Sequence, residues 1–162
     1  MSKEVDPNFD PTEHHIKESR YFDDLLVGER FIIPSRTLGD GSFSAFQALS
    51  LDNHPIHYDV EYCKRAGHRD LLAHGLQVSA LCAPGAGNLP HELHDSLIGL
   101  LEHSAKFLKP VYRGDTVYPA LEIIELTPSK TTGVITLRVT VHNQNRQLVL
   151  EGIQKMLVRK RD

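Results

Sequence analysis

The segment from Gly75 to Ala83 reads Gly-Leu-Gln-Val-Ser-Ala-Leu-Cys-Ala, small or apolar around most of a helical circumference. A helix that is apolar on nearly all sides is a buried one, so the rest of the chain has to cover it. Pro84, Gly85, Gly87 and Pro90 follow and bend or end the helix. Downstream come four runs of strand character, 97–108, 116–126, 133–143 and 148–158, with turns at Arg113-Gly114-Asp115, Pro128-Ser129 and Asn143-Gln144-Asn145. They read as an antiparallel meander. Upstream, 30–38 is a short edge strand, because Pro34 cannot donate to a central ladder. Asp40 reads as the cap of a short helix through Phe43, Phe46 and Leu49, and Asp59 as the cap of another through Cys63, closed by Gly67. A short strand, helices and then long strands is an α+β order. It implies a long central helix wrapped by a curved antiparallel sheet.

One domain accounts for the length of 162 residues, long enough to bury roughly two thirds of the unfolded surface. Residues 1–20, with Pro7, Pro11 and the His14-His15 pair, read as a flexible arm, and 21–162 as the folded domain. A net charge of -3 is too small to imply a nucleic-acid partner. No apolar run has the roughly 18 residues of a membrane span, and the polar amino terminus does not read as an export signal. Cys63 and Cys82, without CxxC spacing, read as free thiols in a reducing compartment, which places the protein in the cytoplasm.

Chemistry concentrates in Leu51-Asp52-Asn53-His54-Pro55-Ile56-His57-Tyr58-Asp59 and, after a spacer, in Leu72-Ala73-His74-Gly75. Pro55 keeps His54 out of helix and stiffens the loop, so Asp52 and His57 are held toward one space. A carboxylate with an imidazole suits reversible addition of water to a polarised double bond, because water must lose a proton while the neighbouring carbon gains one. Gly75 adds a backbone N–H at the start of a buried helix, where a developing oxyanion is favoured. Taken singly, Asp52 is an ordinary turn residue and His57 a packed loop histidine. Their joint spacing with His74-Gly75 favours catalysis. His74 is either an orienting partner or a ligand contact.

These residues resemble the MaoC-like dehydratases, or R-specific enoyl-CoA hydratases, whose pattern is approximately G-D-x-N-P-x-H followed by A-H-G before a central helix. Tyr21 to Leu25 with Val27-Gly28, Ser44-Ala45-Phe46 with Leu49-Ser50, and Pro110 with Gly114-Asp115-Thr116-Val117 extend the likeness over most of the chain. The resemblance implies a single hotdog fold and an acyl-CoA substrate, with no cofactor beyond the coenzyme A that is part of it. It also implies a homodimer, or a homo-oligomer of dimers, with sites at the interface. By position Asp52 and His57 match the catalytic pair and Gly75 the oxyanion donor, with His74 and His54 beside the substrate. The pattern's glycine before the aspartate is Leu51 here, its asparagine before the proline is His54, and a helix serine found in some members falls on Ala83.

Two other functions remain open at this level: a hotdog thioesterase, and a non-catalytic acyl-CoA-binding module. The second proton-transfer group at His57 favours hydration, since thioester hydrolysis does not require one at that spacing. A metal at His54, His57, His74 and Asp52 is disfavoured, as the run lacks a zinc pattern such as H-E-x-x-H. Arg69 and His54 point to a polar or branched acyl group. His91-Glu92-Leu93-His94 reads as a solvated loop, and Phe107 as core or pocket wall.

Overall fold

The computed structural model describes residues 7–10, 12 and 17–161. Pro11 and the His14-His15 pair of the expected arm lie outside the described residues. The end of that arm is docked. Ser19 is buried and its hydroxyl donates to Asp95, while Arg20 pairs with Glu29 and Glu92. Glu92 belongs to a short helix, α4 (Leu89–Glu92), and Leu93 after it is fully buried. The expected solvated loop at 91–94 is therefore an anchor for residues 17–20, because Leu89 and Leu93 turn into the core.

Six strands form one antiparallel sheet in the order β1-β4-β5-β6-β3, with β2 also on β4. The short strands β1 (Arg30–Ile32) and β2 (Arg36–Thr37) flank the break at Pro34. The long strands are β3 (Leu97–Phe107), β4 (Thr116–Pro128), β5 (Thr132–Asn143) and β6 (Leu148–Arg159). Only β4, β5 and β6 form the expected meander. β3 crosses to the far side and pairs with β6, leaving its own outer edge unpaired. Alternate residues of β5, among them Ile135, Leu137, Val139 and Val141, have no exposed surface, as expected of a central strand beneath a helix.

The helix on that sheet is α3 (Gly75–Ala80), joined to the core through Val78 and, just beyond it, Cys82. This is the wrapped-helix α+β arrangement of the hotdog. The helix is shorter than the sequence implies. After Ala80 the chain tightens: the N–H groups of Leu81, Cys82 and Ala83 each donate to the carbonyl three residues back. Pro84 has no N–H and disfavours helix at Ala83, so the last turn closes on itself and a 3-10 turn over Pro84–Ala86 follows. Both cysteines are free and buried, and burial pushes the Cys82 thiol up to about 12. Among the described residues no helix is long and apolar enough to cross a membrane.

The helix after the chemical motif is α2 (Val60–Arg65), capped by Asp59, and the one before it is α1 (Asp40–Ser50). Its cap is Gly39, with Asp40 as first helical residue, so the expected Asp40 cap lies one position late. It ends on Leu51 at φ 59°, a left-handed conformation in which a side chain costs roughly 1–2 kcal/mol. Glycine has no such cost, which gives a physical reason for the glycine in the related pattern. Leu51 is 77% exposed, so its side chain returns little packing. Leu51→Gly is expected to raise unfolding free energy by about 0.5–1 kcal/mol after glycine's entropy loss. Urea denaturation checks this, and a destabilised variant would mean that Leu51 makes contacts outside the monomer.

Candidate active site

His57 ends a 3-10 turn over Pro55–His57, and its ring is fixed from behind. Nδ1 lies 2.6 Å from the Leu72 carbonyl oxygen, which can only accept. Nδ1 therefore carries the proton, and the lone pair sits on Nε2. Leu72 is itself held: its N–H donates to Ile56 and it bridges to Tyr112. Asp52 lies just past the left-handed turn. Its Oδ1 accepts the His54 N–H at 3.1 Å, the main reason its carboxyl stays below the usual carboxylate range. The group is ionised near neutrality and half open to solvent.

His74 completes the cluster. It is 4% exposed, and its ring stacks on His57 with centroids 3.5 Å apart and planes 20° apart. Its Nε2 is 3.2 Å from the Tyr58 hydroxyl and 3.6 Å from Asp52 Oδ2. Asp52, His57 and His74 present donor atoms all within 4.8 Å of one another. A water hydrogen-bonded to two such atoms at a tetrahedral angle needs them about 4.6 Å apart. An upper bound of that order lets one water reach a carboxylate oxygen and an imidazole nitrogen together. A cation would fit the separation, but stacked rings confine their in-plane lone pairs to two nearly parallel planes, whereas a tetrahedral centre needs a point that lies in both.

Burial pushes the His74 imidazole below its ordinary value, with His57 face-on adding to the effect and Asp52 opposing it. The sign of the linkage follows. An unfolded His74 takes a proton near pH 6.5, while the folded one resists until lower pH, so protons favour unfolding across that interval. Stability is then fully present above about pH 6.5 and is lost as pH falls toward the folded value. His74→Phe, which keeps a ring and cannot titrate, is expected to flatten this acid-side loss in thermal unfolding between pH 7 and 5. Equal slopes for variant and wild type would contradict it.

His54, Gly75 and Arg69 have separate positions. His54 Nδ1 accepts the Ile56 N–H at 3.3 Å and its ring meets Tyr62 edge-on, so it caps the Pro55–His57 turn. Gly75 starts α3, and no side chain caps that start. A Cβ there would lie 2.9 Å from Cζ of Phe107, which closes over it. Beside them opens a cleft of about 360 Å³ lined by Leu72, Val78, Phe107, Pro110, Val111 and Lys109. Arg69 is engaged with another partner: one guanidinium nitrogen binds buried Asp115 at 2.5 and 2.6 Å and the group lies over the Tyr112 ring. Tyr58 reads from the sequence as core or pocket wall and proves to reach His74, while Gln77 escaped the sequence reading. Gln77 lies three residues after His74, a spacing that shares a helix face, and its buried amide sits close enough to His74 to act on it, with no hydrogen bond of good geometry among the described residues.

Residues 26–145 match the family model of the MaoC like domain, about three quarters of the chain. The chain belongs to the MaoC-like family. Among its relatives is the (R)-specific enoyl-CoA hydratase of Rhodospirillum rubrum, 27% identical over 145 residues that cover 85% of this chain and 91% of the relative. The solved (R)-hydratase of Aeromonas caviae is 27% identical with a TM-score of 0.68, covering 85% of this chain and 98% of that one. A structure described as a monoamine oxidase regulatory protein from Archaeoglobus fulgius is 28% identical with a TM-score of 0.82, covering 89% and 97%. MaoC-like membership and the hotdog architecture thus agree with the resemblance carried by the motif.

Proposed function

We propose that this MaoC-like protein catalyses the reversible addition of water to a 2-enoyl-CoA, giving a 3-hydroxyacyl-CoA. The observation that carries the reading is the gathering of Asp52, His57 and His74 ligand atoms within 4.8 Å of one another, with the His57 tautomer set by the Leu72 carbonyl so that Nε2 keeps its lone pair. Asp52 accepts one hydrogen of the water and aligns it. His57 takes the other as the oxygen attacks the β-carbon, and the acid/base pair returns a proton to the α-carbon. Negative charge gathering on the thioester oxygen meets the N–H of Gly75 at the uncapped start of α3. His74 braces the His57 ring by stacking and faces Asp52, an orienting part. The cleft beside Gly75 takes the apolar part of the ligand, with Lys109 as a cation for the coenzyme phosphates. The residues supply both proton transfers themselves, so the reaction needs no cofactor beyond the coenzyme in its substrate. Its setting is the reducing cytoplasm, where the two buried thiols stay free.

The test is hydration of crotonyl-CoA, followed by loss of the enoyl-thioester absorbance in chelator-containing buffer. Release of free thiol from a saturated acyl-CoA would point instead to a thioesterase. Binding without turnover at any chain length would point to a regulatory module, a description carried by the Archaeoglobus relative.

The functional form is a homodimer. The unpaired edge of β3 carries Ile98, Leu100, Leu101 and Phe107, all substantially exposed in the single chain. A long apolar edge of this kind is stable in water only when covered. Light scattering at micromolar concentration is expected to give twice the chain mass, and a fully active monomer would refute the assembly.

A further inference from the structure

Leu76, Ser79, Ala80 and Ala83 follow the i, i+3, i+4, i+7 spacing that puts them along one side of α3 and its last turn, away from His74 and Val78. They line a second chamber of about 320 Å³, open on its solvent side where Leu76 and Leu100 are exposed, together with Pro84, His103 and Gln154. The walls are apolar except for three side chains, and those three are wired to one another. His103 and Gln154 stand directly opposite in the β3–β6 ladder, so both face the helix.

The direction of each hydrogen bond can be worked out. Gln154 Nε2 lies 3.0 Å from the Cys82 carbonyl, and this fixes the carboxamide orientation, since two carbonyl oxygens would repel. The second N–H of the same nitrogen points to His103 Nδ1 at 3.2 Å, making Nδ1 an acceptor and placing the imidazole proton on Nε2. Nε2–H then donates to Ser79 Oγ at 2.5 Å. The relay ends in a serine hydroxyl whose own hydrogen has no acceptor in it. Gln154, 2% exposed, keeps an unpartnered Oε1 at the other end. A plain hydrocarbon filling this chamber would strip water from the serine hydroxyl and leave it unpaired.

Building on the hydratase reading, we propose that Ser79 is a specificity-determining residue that binds an oxygen acceptor on the acyl chain just beyond the double bond, with His103 and Gln154 as its positioning residues. The preferred substrates are 2-enoyl-CoAs whose chain bears a hydroxyl or carboxylate, not plain hydrocarbon chains. Ser79 lies one helical turn, about 6 Å along α3, from Gly75. A thioester oxygen held at the Gly75 N–H therefore leaves the chain's fourth carbon within reach of this hydroxyl.

A matched series tests it: crotonyl-CoA, 4-hydroxycrotonyl-CoA and the CoA monothioester of fumaric acid, which carry methyl, hydroxymethyl and carboxylate on the same skeleton. Both kcat/KM for hydration and binding by calorimetry are measured for wild type, Ser79→Ala and His103→Leu, each checked for native circular dichroism. At least one oxygenated substrate is expected to exceed crotonyl-CoA by about tenfold in wild type, in KM more than in kcat. Both variants are expected to shrink that ratio to within about twofold of one. If crotonyl-CoA equals or outruns both oxygenated analogues, or if Ser79→Ala preserves the ratio, the assignment is wrong. Should no member be hydrated, the hydratase reading falls, while the calorimetric ratio and its loss in Ser79→Ala still decide the chamber.

Discussion

Asp52→Asn and His57→Ala are each expected to lower the turnover of 2-enoyl-CoA hydration by about 100-fold or more, the usual range for loss of an acid/base group. Asparagine keeps the shape of the aspartate and its acceptor for the His54 N–H, so the loop survives while the anion that aligns water is gone. Alanine at 57 removes the Nε2 lone pair and leaves the Leu72 carbonyl to solvent. Binding suffers far less in both, because the cleft walls at Leu72, Val78 and Phe107 are untouched. The double variant is expected to be little slower than the worse single one, since the two groups act on the same water and their losses are not additive. Turnover and Kd for crotonyl-CoA, measured on variants that remain folded and dimeric, give the answer. Near-normal turnover in either single variant removes that residue from the mechanism.

The reason this prediction could begin from sequence is locality. Asp52 and His57 are five residues apart across Pro55, and His74-Gly75 sit at the start of a segment that can only be a buried helix. Short-range stereochemistry was enough to bring them together. The chamber behind α3 depends on a longer chain of facts. His103 meets Gln154 only because β3 crosses the sheet to pair with β6, over a separation of 51 residues. A meander read from strand order places His103 opposite the wrong neighbour. The pairing of Arg69 was hidden for a related reason, as its partner Asp115 is 46 residues away and also takes the Tyr112 N–H and the Gln144 amide. Leu51 shows the opposite limit. Its backbone angle is local, yet leucine carries no propensity for the left-handed region, so only the related glycine pattern marked the position.

The same edge strand supports the second large effect, expected at Gly152. This glycine lies on β6 between Ala105 of β3 and Val139 of β5. A Cβ there would collide with the carbonyl oxygen of Ser104 and lie 3.0 Å from its carbon and 3.2 Å from the Cα of Ala105. All three are backbone atoms of a paired strand, so no side-chain rotation relieves the contact. β3 would have to move away from β6, taking with it His103, Phe107 and the edge proposed to pair with a second chain. Overpacking usually costs about 1–3 kcal/mol, and the absence of a yielding neighbour puts Gly152→Ala at about 3 kcal/mol or above. Gly99, on β3, is the matched control, because a Cβ there meets nothing within 4 Å. Alanine at that position is expected to be neutral or stabilising by up to about 1 kcal/mol, through the smaller entropy of the unfolded chain. Urea denaturation of the two variants against wild type separates the cases. If Gly152→Ala unfolds within about 0.5 kcal/mol of wild type, the tight β3–β6 contact does not constrain the fold, and the register that joins His103 to Gln154 loses its main physical support.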